Sequence, residues 1–236
     1  MAVRCVSFTP LQPHFLVVQF HYMAAIPILR GTCMQTLNND YCALRHGQSM
    51  ANVEKIISSN PHIATTQHGL SPMGREQVQQ AGQHVVAYYQ AHSYDGIVIL
   101  SSDYRRARET AEYVQTSIQE ASLPCSSVIL DTRLRERWFG DWDGGPDTNY
   151  QNVWQEDAID PSHTLRNVES VNSVIERTTC CIMEWDAKFQ NHLILLVAHG
   201  DVLQITQTAF ARMDGSLHRS LPHLETATLR PLVLFS

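Results

Sequence analysis

From residue 41 onward the apolar positions follow two periods. Four short, unbroken apolar runs, at residues 41–44, 97–100, 128–130 and 193–198, have the length of strands buried on both faces. Between them the spacing turns helical. Ser71-Pro72 opens the first such stretch, with serine as cap and proline in the first turn. Val78, Ala81, Gly82, Val85 and Tyr89 then line one face, and the helix is expected to end near Ala91. Ala107, Thr110, Ala111, Val114 and Ile118 line a second helix, and Val171, Val174, Ile175, Thr178, Ile182 and Trp185 a third. The run at 193–198 ends on His199-Gly200-Asp201. There Asp201 is expected to cap the next helix, with Gln204 completing a capping-box arrangement. Residues 226–234 are expected to form a final edge strand interrupted by Pro231. Strands alternating with helices predict an α/β fold: an open, mostly parallel sheet flanked by helices, in three layers. There are no internal repeats and no low-complexity tracts.

Residues 1–40 stand apart. Up to position 39 they contain no Asp or Glu and only two cations, Arg4 and Arg30. The apolar run at 15–29 is broken by Gln19, His21 and Pro27, and is too short and interrupted to span a membrane. The chain therefore divides into an extension, 1–40, and a domain, 41–236. The extension reads as transit-like, as disordered, or as the product of a mis-assigned start. A cytoplasmic location is expected, with organellar targeting by the extension left open.

Composition narrows the chemistry. Hydrophobic residues make up 44% of the chain and charged residues 17%, enough apolar content for a buried core. A net charge of −6 argues against nucleic acid as partner. The cations are lopsided, 15 Arg against 2 Lys, and the planar arginine fork suits phosphate and carboxylate. The six cysteines form no Cys-x-x-Cys pair and read as reduced thiols; none is followed six positions on by arginine, so the cysteine-phosphatase loop is missing. Neither a Gly-x4-Gly-Lys loop nor a Gly-x-Gly-x-x-Gly loop is present, and the twelve histidines show no metal-ligand spacing. No metal and no cofactor are expected.

The polar residues that remain converge on one edge of the predicted sheet. Arg45-His46, Ser102 to Arg106, and His199 each follow the carboxyl end of a strand, where open α/β sheets bind ligands. Glu136 lies a few residues past the run at 128–130. Arginines neutralise a phosphoryl group, a neutral imidazole attacks phosphorus, and a carboxylic acid protonates the leaving oxygen. Glu136 has an alternative reading, as ion-pair partner of Arg133 or Arg137. Trp138, Phe139 and Trp142 read equally as pocket wall or as packing.

Five segments, in order, resemble the histidine phosphatase superfamily in its phosphoglycerate mutase-like branch. They are Leu44-Arg45-His46-Gly47-Gln48-Ser49 with Asn52; Leu70-Ser71-Pro72-Met73-Gly74-Arg75-Glu76-Gln77; 101–111 with Arg106 directly before alanine; Leu134-Arg135-Glu136-Arg137-Trp138-Phe139-Gly140; and Val197-Ala198-His199-Gly200. The resemblance implies that His46 is the covalent nucleophile, that Arg45, Arg106 and His199 surround the phosphoryl oxygens, and that Glu136 is the proton donor. It places Gln48, Ser49, Asn52 and Gly200 as substrate-binding positions around a small phosphorylated ligand. Asp201, one residue beyond the place where another branch carries its acid, is read as a helix cap.

Between hydrolysis and phosphoglycerate isomerisation, the resemblance favours hydrolysis. Family mutases carry a long insertion with extra basic residues, whereas only 32 residues separate Glu136 from Glu169, and they contain Arg137, Arg166 and no Lys. A non-catalytic relative that only binds phospho-ligands would need neither a nucleophile nor an acid. The expected function is a phosphomonoester hydrolase acting through phosphohistidine on a metabolite such as a sugar phosphate, with a mutase-type phosphotransferase or a binding relative as alternatives.

Overall fold

A computed structural model describes Met34 and residues 36–235, which belong to one compact unit, Cys33–Ser236. The structure of the extension up to residue 33 lies outside the described residues. Strand β1 is Asp40–Arg45. Two short helices, α1 (Met50–Glu54) and α2 (Pro61–Ala64), precede α3 (Pro72–Gln90). Then come β2 (Gly96–Ser101), α4 (Arg105–Glu120), β3 (Ile129–Leu130), α5 (Tyr150–Ile159) and α6 (Val171–Asp186). The chain closes with β4 (His192–Ala198), α7 (Gly200–Ala211) and β5 (Leu229–Leu232).

The five strands lie in the order β3-β2-β4-β1-β5, all parallel except β5, which runs antiparallel to β1. The apolar runs explain the arrangement. In β2 every residue is buried, and in the central β4 every residue after His192, so both faces of the sheet must be covered. Cys42, Leu44, Ile97, Ile99, Leu193, Leu195 and Val197 pack on α3 and α4 through Ala81, Val85, Ala107, Ala111, Val114 and Ile118. Ala43, Val98, Leu100, Ile194, Leu196 and Ala198 face the opposite way, toward Ile182 of α6 and Leu203 and Phe210 of α7. Helix, sheet and helix make the three layers expected.

Two local expectations are corrected. The final strand starts at Leu229, not at 226, because residues 225–228 form a turn with Ala227 in the left-handed region (φ 57°). Pro231 sits on the edge strand opposite Cys42, where its missing N–H is tolerated. Asp201 does not cap α7. The N-cap is His199 (φ −118°, ψ 164°), without a side-chain cap bond, and Asp201 lies inside the first turn. Cys42, Cys125, Cys180 and Cys181 are free thiols. No helix among the described residues is long and apolar enough to cross a membrane.

Candidate active site

The carboxyl ends of β1, β2 and β4 open into a cavity of about 230 Å³. Its lining includes Arg45, His46, Ser49, Asn52, Arg106, Glu136 and Gly200, so seven of the nine expected site residues meet there. His46 leaves β1 with its backbone N–H donated to Ala198 O at 3.0 Å. Its Nδ1 donates to Gly47 O at 2.7 Å, which puts the ring proton on Nδ1 and leaves Nε2 as a lone pair. Arg106 Nε donates to that Nε2 at 3.1 Å. Burial first, then the charges of Arg106 and Arg45, hold the His46 pKa well below the usual imidazole value. Both effects favour the neutral ring.

Arg106 lies in the first turn of α4 and is buried, its Nη2 donating to Ser58 O at 3.0 Å while Nη1 has no protein partner. Arg105, its neighbour, turns outward to Glu109 at 2.7 Å. His199 is the eighth expected residue. It is fully buried beside His46, its ring 5.2 Å from that of His46 and its Nε2 2.9 Å from Ser102 Oγ. A hydroxyl proton given to Nε2 leaves Nδ1 as the donor, and that atom has no protein partner. Gly200 follows. A Cβ there would come within 3.2 Å of the Arg45 guanidinium carbon, so glycine lets Arg45 lie against the start of α7.

Glu136 is almost fully buried and accepts from the Arg137 backbone N–H at 3.1 Å. Burial raises its pKa from 4.5 to about 7; Arg106 opposes the shift and Asp201 reinforces it. Neither ion pair considered for it forms. Arg133 pairs with Asp131 and Glu184. Arg137 grips Asp157 bidentately at 2.6 and 2.7 Å and reaches Asp201 at 3.3 Å. Asp201 also accepts from Trp154 Nε1 at 2.8 Å, which explains why it is not a cap.

Ser49 and Asn52 form a reciprocal capping box on α1. Asn52 Oδ1 is occupied by Ser49, so Nδ2 is what Asn52 can offer a ligand. Gln48 is the ninth residue and does not line the cavity. Its backbone N–H donates to Gln77 Oε1 and its Oε1 accepts from Ser71, fastening the loop after β1 to the N-cap and second turn of α3. Gly74 permits that contact, since a Cβ there would lie 2.0 Å from Gln48 O.

Tyr150, Trp154, Arg219 and His223 also line the cavity, although no sequence motif marks them. Tyr150 and Trp154 stack at 5.5 Å, and Arg219 lies 3.7 Å over the Trp154 ring. The only sequence signals were two aromatics four residues apart and the pair His218-Arg219 after α7. Of the aromatics that read equally as wall or as packing, Phe139 is core, packed with Ile57, Val153 and Val168. Trp142 lines a separate cavity of about 120 Å³ with Arg166. Among the described residues no three His, Cys, Asp or Glu side chains converge as metal ligands would.

A sequence model of the histidine phosphatase superfamily (branch 1) matches residues 41–234. The chain is 29% identical over 175 residues to a glucosyl-3-phosphoglycerate phosphatase of Mycolicibacterium vanbaalenii, covering 68% of each chain. It is 23% identical over 176 residues to the uncharacterized phosphatase PhoE of Bacillus subtilis, covering 75% of this chain and 79% of that one. Among solved structures, mycobacterial glucosyl-3-phosphoglycerate phosphatase in complex with VO3 matches with a TM-score of 0.66 at 25% identity, covering 81% of this chain and 91% of that one.

Proposed function

The chain belongs to the histidine phosphatase superfamily, branch 1, and is an enzyme of its phosphatase class; from that premise we propose that it hydrolyses a small phosphorylated metabolite through a phosphohistidine at His46. The observation that carries this reading is one cavity holding both the Nε2 lone pair of His46 and the buried carboxyl of Glu136. As a phosphoryl group enters, the Arg106 Nε–H passes from His46 Nε2 to its oxygens, and the unpartnered Nη1 joins it there. Arg45 and His199 share the charge that spreads over those oxygens in a loose transition state. His46 Nε2 forms the bond to phosphorus, the bond from phosphorus to the ester oxygen breaks, and that oxygen takes the Glu136 proton. The Glu136 carboxylate then takes a proton from the water that attacks phosphohistidine. Phosphate departs and His46 is neutral again.

The cavity volume suits a compact phosphorylated group. The relatives named for glucosyl-3-phosphoglycerate make phosphorylated sugar derivatives the first compounds to test. Hydrolysis is favoured over isomerisation because neither basic residue between Glu136 and Glu169 serves the cavity. Arg137 is consumed by Asp157 and Asp201, and Arg166 lies over the Trp142 ring. The test is a hydrolysis screen over phosphorylated metabolites with a mutase assay beside it, run with and without EDTA. Metal-independent hydrolysis is expected, with labelled phosphate trapped on the wild type and not on His46→Ala. Loss of activity in EDTA with recovery on a divalent ion, or labelling of the His46→Ala protein, would overturn the mechanism.

A further inference from the structure

Arg45 is held by a chain of hydrogen bonds whose direction is fixed from its far end. Gln204 of α7 is fully buried, and its Nε2 donates to the carbonyls of His218, at 3.1 Å, and Leu221. An amide whose N–H groups both point at carbonyls must turn its oxygen the other way. Gln204 Oε1 accordingly accepts from Arg219 Nη1 at 3.2 Å and from His223 Nδ1 at 3.0 Å. His223 then carries its proton on Nδ1, and its Nε2 is a lone pair. That lone pair lies 3.0 Å from Arg45 Nη1, which is only a donor. The second hydrogen on Nη1 goes to Leu224 O at 2.8 Å. With Nη1 consumed, Arg45 keeps Nε, buried and without a protein partner, and Nη2.

We infer that His223 is a positioning residue for the proposed reaction: as a neutral, Nδ1-protonated imidazole set by Gln204, it accepts from Arg45 and aims the remaining N–H groups of that guanidinium at the phosphoryl group. The inference rests on the phosphatase reading above. A protonated His223 has no acceptor to offer and would place a second cation against Arg45. Burial and the charges of Arg45 and Arg219 disfavour that form, against the smaller pull of Glu225 and Asp201. Histidine rather than a carboxylate suits the position. A carboxylate would bind Arg45 more strongly but would repel the incoming phosphate.

The test uses the full chain, with inorganic phosphate as competitive inhibitor of p-nitrophenyl phosphate hydrolysis. His223→Ala should weaken phosphate inhibition by about fivefold to tenfold, the scale of one charge-assisted hydrogen bond at a half-open site, with the melting temperature unchanged. His223→Gln, whose amide oxygen falls near the place of Nε2, should recover most of that loss. In an Arg45→Ala background, His223→Ala should add nothing further. Long-range proton–nitrogen spectra at pH 7 should show His223 neutral with its proton on Nδ1. A charged ring, an Nε2–H tautomer, or wild-type phosphate affinity in His223→Ala would overturn the inference while leaving the phosphatase reading intact. A wild-type protein that neither hydrolyses the ester nor binds phosphate would overturn both.

Discussion

Glu136 shows how far a single residue's chemistry depends on what surrounds it. Burial strips water from the carboxylate more effectively than Arg106 replaces it, and the result is a pKa of about 7. Because the folded-state value is raised above 4.5, the folded protein binds this proton more tightly than the unfolded chain. The associated stability is fully present below pH 4.5 and is lost as pH rises through about 7. A tenfold change in proton affinity is worth about 1.4 kcal/mol, so at pH 8 the ionised carboxylate costs roughly 3–4 kcal/mol at most. Glu136→Gln should therefore melt at a higher temperature than wild type at pH 8 and close to it at pH 4.5; an equal gain at both would show that the carboxylate is not strained. In single-turnover phosphorylation the same variant should be slowed roughly a hundredfold or more with a strongly basic leaving group and far less with p-nitrophenolate. Equal losses for both would remove Glu136 from the acid role. Its position was legible in the sequence because it follows a strand within a recognisable segment. Its pKa was not, since that depends on Asp201 and on burial, which no local pattern reports.

At the scale of elements, the strand ends and the first turns of the helices following them do most of the positioning. Where local spacing alone decided the structure, as for Ser71-Pro72 at the start of α3, the sequence was enough. It failed at the start of α7. The spacing of Asp201 and Gln204 fits a capping box, but distant partners claim both side chains: Arg137 and Trp154 take Asp201, and the carbonyls of His218 and Leu221 take Gln204. Helix α5 was missed for a related reason. It buries Asp157 beside Val153, so its inner face is not an apolar stripe. Asp157 faces the Arg137 fork, and the same fork holds Asp201 near Glu136. Asp201→Asn should thus lower the Glu136 pKa and move the alkaline limb of kcat/KM for basic leaving groups to lower pH, by up to about one unit. Loss of activity at every pH, by roughly two decades or more, would instead mark Asp201 itself as the acid.

The whole molecule raises the question of where the folded unit begins. The buried runs made the three-layer sheet readable, because strands covered on both faces leave a continuous apolar signature. The boundary was harder, since Asn38-Asn39-Asp40 has the composition of a linker. In the structure these residues close the end of α6. The Asn38 N–H donates to both Asp186 oxygens, at 3.1 and 2.9 Å, and its Nδ2 to one of them at 3.0 Å. Asn39 Nδ2 donates to Asp186 Oδ1 at 3.0 Å and to Phe189 O at 2.9 Å, while its Oδ1 accepts from the His192 N–H at the start of β4. Met34 is 2% exposed and belongs to the core between the sheet and helices α6 and α7. Beginning the chain at Tyr41 would strip a buried carboxylate of most of its donors and uncover the Met34 site. Together these changes cost about 3 kcal/mol or more. For a domain of this size that corresponds to a fall in melting temperature of roughly 6–12 °C. A chain beginning at Met34 should keep the melting temperature and phosphate affinity of the full-length protein. Calorimetry on the two truncated chains decides the matter: equal melting temperatures would mean that the asparagine contacts add nothing and that the fold starts at β1 itself.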